Sequence, residues 1–218
     1  ALAVAWDPFR NPLEIPPEQA PNLPSIRVSE ESVDKYRNKN TKYGGKGDKQ
    51  HLGGFTEYDG AGVSPSVWQS MMENVGVHSV LDVGCGRGTS TTWFWEQGVR
   101  VLCVEGSHDA IQRTLLPDPT TQVVEHDFAR GPWWPNDTYD AVWCVEFLEH
   151  ISRQSLYKYM TTFRKAAIIL ATSCRWGGWQ HVEGHPDGWW IAKMESYGLQ
   201  YDAKLSDQIK QLARIEQR

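Results

Sequence analysis

Apolar and polar positions alternate along most of this chain in two periods, and the period changes element by element. Ser64–Glu73 carries Val67, Trp68, Met71 and Met72 on one helical face, with Pro65 just inside the start, so the spacing predicts an amphipathic helix. Short apolar runs at Ser79–Val83, Arg100–Glu105, Gln122–Glu125, Tyr139–Val145, Ala166–Thr172 and Leu199–Ala203 read as strands. Between them, helices are expected at Ser90–Gln97, from Ser107 to Leu116, at Phe147–Lys165, at Asp187–Tyr197 and at Ser206–Gln217. Gly98 and Gly198 stop the first and fourth of these helices. Strand followed by helix, repeated, implies an α/β fold: a doubly wound, mostly parallel sheet with helices on both faces.

Residues 1–50 break the pattern. Pro8, Pro12, Pro16, Pro17, Pro21 and Pro24 recur with few aliphatic residues between them, followed by Lys35, Arg37, Lys39, Lys42, Lys46 and Lys49. Such a composition favours extended chain over a packed core. The expected organisation is an N-terminal arm over 1–50 and a folded domain over 51–218. Within the arm, residues 1–35 read as a tether for a protein partner, with Trp6, Phe9, Leu13 and Ile15 as anchors. Residues 43–60 read as a lid, although His51–Tyr58 fits a plain turn equally well. The apolar Ala1–Trp6 stretch fits the tail of a processed leader or anchor, or nothing of the kind.

Composition narrows the partners. Net charge is −5 over 218 residues, which speaks against a dedicated DNA-binding surface. No apolar run approaches the ~20 residues a membrane span needs. The four cysteines, Cys85, Cys103, Cys144 and Cys174, fall in or just after expected buried strands without a CxxC pair. They read as reduced core thiols, and hence as a mark of a reducing compartment, the cytoplasm or an organelle interior.

The segment with most chemical content is Leu81-Asp82-Val83-Gly84-Cys85-Gly86-Arg87-Gly88, at a strand end and opening a helix. Its glycines let backbone approach a ligand, and the helix start offers unpaired N–H groups. Thr89 stands where a dinucleotide fingerprint needs its third glycine, so the spacing is GxGxG after an acid. Glu105 ends the second strand, where a carboxylate accepts ribose hydroxyls. Asp127 and Phe128 follow the third, as acceptor for an adenine amino group and packing surface for its ring.

These segments, LDVGCGRG, VLCVEGS, EHDF and YDAVWCVEFLEHI, resemble the class I S-adenosylmethionine-dependent methyltransferase superfamily over about residues 61–203. The resemblance implies S-adenosylmethionine as cofactor, with Asp82 facing its amino-acid half. It also implies a sheet with the third, second, first, fourth and fifth strands in that order. The superfamily closes the sheet with a sixth strand and an antiparallel seventh; Leu199–Ala203 supplies a sixth here, and no seventh follows it.

For methyl transfer the protein must align a nucleophile and help remove its proton. Glu146, Glu149 and His150, at i, i+3 and i+4, would share one helical face at the carboxyl edge of the sheet, with His181 in the loop after the fifth strand. Glu-x-x-Glu-His with a later His resembles the metal site of small-RNA 2′-O-methyltransferases and an acidic turn in ubiquinone-pathway O-methyltransferases. It implies Mg²⁺ or Mn²⁺ on Glu146, Glu149, His150 and His181. Without metal, His181 or His150 is the general base, beside Glu146. Trp176, Trp179, Trp189 and Trp190 offer an apolar wall for the acceptor, with either Trp189 or Trp190 packing the last helix instead. Arg130–Pro135 reads as a rigid aromatic loop. Cys-Val-Glu-Phe stands where DNA amino-methyltransferases carry their Pro-Pro-aromatic motif, which disfavours base amino groups. The expected function is O-methylation of a small-molecule or sugar-like acceptor. Two other readings stand beside it: a non-catalytic methyltransferase-like subunit of a larger assembly, and an RNA 2′-O-methyltransferase.

Overall fold

The computed structural model describes residues 2–6 (as backbone), 52, 62–178 and 180–215. Five strands run parallel: β2 (Ser79–Val83), β3 (Arg100–Glu105), β4 (Val123–Glu125), β5 (Tyr139–Cys144) and β6 (Ala166–Ala171). Two more, β1 (Leu2–Trp6) and β7 (Leu199–Tyr201), complete a seven-stranded sheet in the order β4-β3-β2-β5-β6-β1-β7. The helices are α1 (Pro65–Glu73), α2 (Thr89–Glu96), α3 (His108–Gln112), α4 (Pro119–Gln122), α5 (Leu156–Phe163), α6 (Asp187–Ser196) and α7 (Ala203–Ile215).

Strand alternation sorts the core into two layers. Leu81, Val83, Val104, Val142 and Cys144 point to one face and pack with Tyr159, Phe163 and Trp190 of α5 and α6. Val80, Val101, Ala141 and Trp143 point to the other, against Trp68 and Met71 of α1 and Phe94 of α2. Phe94 and Phe163 are fully buried, each worth about 1.5–3 kcal/mol of transfer from water. The doubly wound α/β expectation holds. Among the described residues no helix is long and apolar enough to cross a membrane.

The sheet edge departs from expectation. Leu2–Trp6, read from sequence as part of the extended arm, pairs antiparallel with β6 (Leu2 opposite Ala171) and with β7 (Trp6 opposite Leu199). It occupies the antiparallel position between fifth and sixth strands that the sequence left unfilled. Five consecutive strand-compatible residues can satisfy two open backbone edges at once, and unpaired edges are costly. The remainder of the expected arm, 7–50, lies outside the described residues, as do the lid segment 43–60 (Leu52 excepted) and Trp179.

Three boundaries moved for local reasons. The expected helix over Phe147–Lys165 is two single 3₁₀ turns, Leu148–His150 and Arg153–Ser155, before α5 begins. Ser152 adopts extended backbone and accepts from Gln154 N, which interrupts the helix. The helix after Ser107 ends at Gln112 rather than Leu116. The last helix starts at Ala203 because Asp202 accepts from Leu205 N at 2.8 Å, so Ala203 leaves the strand it was assigned to.

Candidate functional site

The carboxyl ends of β2 to β6 converge on one edge of the sheet, where open α/β folds bind ligands. After β2 the chain turns at Gly84 with φ +76°, and a Cβ there would stand 2.6 Å from Phe147. Only glycine fits, both for conformation and for space. Gly86 donates its N–H to Glu105 Oε2 at 2.7 Å, and Ser107 N donates to Glu105 Oε1 at 2.8 Å. These two bonds orient the Glu105 carboxylate beside the glycine loop.

Asp82 lies deeper. It is 2% exposed, and its Oδ2 accepts from Ser90 (2.5 Å) and Thr91 (2.6 Å) in the first turn of α2. Burial pushes its carboxyl up to about 6, against the lowering effect of those two hydroxyls. In this structure it anchors the helix start that follows the glycine loop. Asp127 is oriented by Ala129 N at 2.9 Å and pairs with Arg130 at 3.1 Å. Phe128 is 2% exposed, in the core against Phe147 and Tyr159, where the sequence had placed it on an adenine ring. Leu52 instead reaches this end of the sheet: its Cδ2 is 2.8 Å from where a Cβ on Gly106 would stand.

Cys85 and Cys103 are joined by a disulfide, with Cα atoms 5.7 Å apart. This corrects the reading of four reduced thiols; Cys144 and Cys174 are the free ones. Cys103 lies opposite Asp82 across the β2–β3 ladder, so the residues following Asp82 bring Cys85 beside it, a neighbour that spacing along the chain does not reveal. Cysteine usage therefore no longer argues for a reducing compartment.

The second half of the site is built on Glu149. Its backbone carbonyl accepts from Val182 N (2.8 Å) and Glu183 N (3.0 Å), pinning the loop after β6 onto the 3₁₀ turn. Its Oε1 accepts from Cys174 N at 3.0 Å, while its buried Oε2 has no hydrogen-bond partner. Burial, then the nearby Glu146 carboxylate, pushes Glu149 up to about 8, so it holds a proton at neutral pH. His150 Nδ1 donates to Gln180 O at 3.2 Å, and His181 Nδ1 donates to Trp176 O at 2.8 Å. The His150 ring, when neutral, then presents an unprotonated Nε2. Burial, then the neighbouring His181, holds His150 down to about 4, so it is neutral. Gly178 permits this arrangement, since a Cβ on it would lie 2.6 Å from the His181 ring.

Ligand atoms of Glu149, His150 and His181 lie within 4.8 Å of one another. Glu146 does not join that group. The spacing argument assumed one helical turn from 146 to 150, but Glu146 takes φ +53° and the turn begins only at Leu148. Thr172 Oγ1 accepts from Glu146 N (3.0 Å) and donates to Glu146 Oε1 (3.2 Å). Among the described residues, the non-glycines with positive φ are Glu146 and Gln180, and both border the cluster. Such strain persists where surrounding structure over-determines it, and it gathers at functional sites.

The tryptophans divide. Trp190 is fully buried, and Trp189 stacks on His185 with ring centres 3.6 Å apart. Trp176 is 77% exposed, next to the cluster through its own carbonyl. Glu183 went unnoticed in the sequence; it is buried, bonded to Arg153 (3.0 Å) and His185 (2.7 Å), and holds the loop's far end.

Residues 80–167 match the family model described as a methyltransferase domain. That stretch holds the glycine loop, Glu105, Asp127 and the turn that carries Glu149 and His150. No curated protein matches it in sequence. Among solved structures the domain is similar to a protein described as a methyltransferase from an antibiotic biosynthesis pathway of Anabaena variabilis (14% identity, 62% of each chain covered, TM-score 0.49). It is also similar to the methyltransferase domain of a bacterial Hen1 (16% identity, 60% of this chain and 82% of that one, TM-score 0.45). A third is an S-adenosylmethionine-dependent methyltransferase from Archaeoglobus fulgidus (19%, 62% and 69%, TM-score 0.46). The match spans 62% of the first of these structures, less than two thirds of its length.

Proposed function

We propose that the protein transfers a methyl group from S-adenosylmethionine to a hydroxyl of a small-molecule or sugar-like acceptor, using a divalent cation held by Glu149, His150 and His181. The observation that carries this reading is the donor set itself. One ligand atom each of Glu149, His150 and His181 lies within 4.8 Å of the others, and the Nδ1 atoms of both imidazoles are committed to backbone carbonyls. A metal-ligating histidine typically donates its other ring N–H in this way. Mixed nitrogen and oxygen donors suit Mn²⁺ better than Mg²⁺. When bound, the cation would act as a Lewis acid on the acceptor oxygen.

The protein's own contributions follow from the site. Gly84, Gly86 and Glu105 form the cradle for the cofactor's ribose half, Asp127 is oriented to accept from its adenine, and Asp82 fixes the start of α2 against the glycine loop. Glu146, outside the ligand set and steadied by Thr172, is the group to accept the acceptor's proton. Trp176 offers an exposed flat surface beside the cluster. A net charge of −5 disfavours a polyanionic acceptor such as RNA, which a basic surface would bind.

Titration of metal-stripped protein with Mn²⁺, followed by electron paramagnetic resonance, tests the reading. One tight site that His181→Ala removes supports it. Equal Mn²⁺ binding by wild type and His181→Ala would sink the metal, and methyl transfer that is unaffected by chelator would sink its role in catalysis.

A further inference from the structure

The Cys85–Cys103 disulfide belongs to no step described so far, yet it joins the glycine loop to the strand that carries Glu105. Three consecutive loop residues are tied to three consecutive residues of β3. Gly84 N donates to Val104 O at 2.9 Å, Cys85 is bonded to Cys103, and Gly86 N donates to Glu105 Oε2 at 2.7 Å. Cys103 and Glu105 lie two apart on a strand and so share a face. The covalent link therefore stands directly beneath the contact that orients the ribose carboxylate. Cys103 is 1% exposed, whereas Cys85 is only half buried, so a reagent can reach the pair from the Cys85 side alone. A disulfide placed only for stability has no need to sit inside a ligand loop.

We propose that Cys85–Cys103 is a thiol-exchange site through which a dithiol reductant controls cofactor affinity, the oxidised form being the tighter binder; this rests on the cofactor reading above. One thiolate of the dithiol attacks Cys85 Sγ, the Cys85–Cys103 bond breaks, and Cys103 leaves as a thiolate and takes up a proton. The second thiol of the reductant then attacks the mixed disulfide and releases Cys85 as a thiol. Two electrons and two protons have passed to the protein, and the reductant ends as a disulfide. With the link open, the covalent tie between the loop and β3 is lost and the hydrogen bonds of Gly84 and Gly86 to β3 must hold that register. Glycine-rich backbone has the most conformational freedom to regain, so the cradle must then be ordered at the expense of binding.

The test uses the full chain and S-adenosylhomocysteine as probe. Protein purified without reductant is unfolded and alkylated; two thiols should react, and four after dithiothreitol, as read by intact mass. Calorimetric titration should show affinity falling by about ten-fold on reduction, within the usual range of coupling between two sites. Hydrogen exchange in the peptide containing Gly86 should quicken in parallel. Cys85→Ser should bind like the reduced protein and ignore dithiothreitol. Four reactive thiols before reduction, or equal affinity in two forms whose masses differ as expected, overturns the switch and leaves the cofactor reading standing. If neither form binds the probe, the cofactor reading falls and the switch falls with it.

Discussion

Replacing Asp82 by Asn should stabilise the ligand-free protein while weakening its hold on the cofactor. Asp82 is buried, and desolvation lifts its pKa from 3.8 to about 6 despite hydrogen bonds from Ser90 and Thr91. The folded state therefore binds this proton more tightly than the unfolded state does. Stability from this group is greatest below about pH 4, declines as pH rises, and is at its lowest above about pH 6. A shift of about two units corresponds to about 3 kcal/mol at neutral pH. Asn cannot ionise, keeps one oxygen to accept from Ser90 or Thr91, and escapes that loss.

The assay is a pair of thermal melts, wild type and Asp82→Asn, at steps between pH 4.5 and 8. Every other carboxylate titrates in both proteins, so the difference in Tm isolates Asp82. A domain of this size moves by about 2–4 °C per kcal/mol, so the variant's advantage should grow to ~6–12 °C by pH 7.5 and shrink to about a third of that at pH 4.5. A difference that does not change with pH would refute the reasoning, because it would mean that Asp82 titrates alike in both states. S-adenosylhomocysteine should narrow the gap by favouring wild type.

Three further outcomes are expected. Glu105→Ala should weaken S-adenosylhomocysteine binding by ~10-fold or more in calorimetry, since a hydrogen bond to a charged group is worth about 1.5–3 kcal/mol. Glu149→Gln should lower Mn²⁺ affinity by at least ~10-fold in the same resonance titration that tests His181→Ala, the scale of loss seen even for groups one layer beyond the ligands. Deleting residues 1–6 should lower Tm by ~5 °C or more and promote aggregation, because it reopens two strand edges at β6 and β7; an unchanged melt would show the strand to be dispensable.

What was legible in the sequence is what depends on local period and on chain order. Short apolar runs at Ser79–Val83, Arg100–Glu105 and Tyr139–Cys144 gave the strands, and repeated strand-then-helix order gave the parallel sheet. The glycine loop was legible because positive φ and close packing leave no other residue at Gly84. Less was legible where two distant segments decide the outcome together. Leu2–Trp6 carries no mark that its partners are β6 and β7. Nothing local to Cys85 names Cys103, because the pairing follows from the β2–β3 register. Phe128 was read as a ring platform from its place after a strand, but Phe147 and Tyr159 claim it for the core.

The turn from Glu146 to His150 shows the same division. Helical spacing grouped Glu146 with Glu149 and His150, and a regular helix would have honoured it. The chain instead holds Glu146 at φ +53°, commits it to Thr172, and spends Glu149's carbonyl and one carboxylate oxygen on the loop that delivers His181. Strained backbone of this kind costs of order 1–3 kcal/mol, and a buried unsatisfied polar atom costs about as much again. A domain selected for stability alone would relax both. Their coexistence at the carboxyl edge of the sheet, with two imidazoles oriented by backbone carbonyls, is what a site looks like when its favourable partner arrives from solution. On the proposed reading, this favours a working enzyme over a retained scaffold, with Glu149 at the centre of its chemistry.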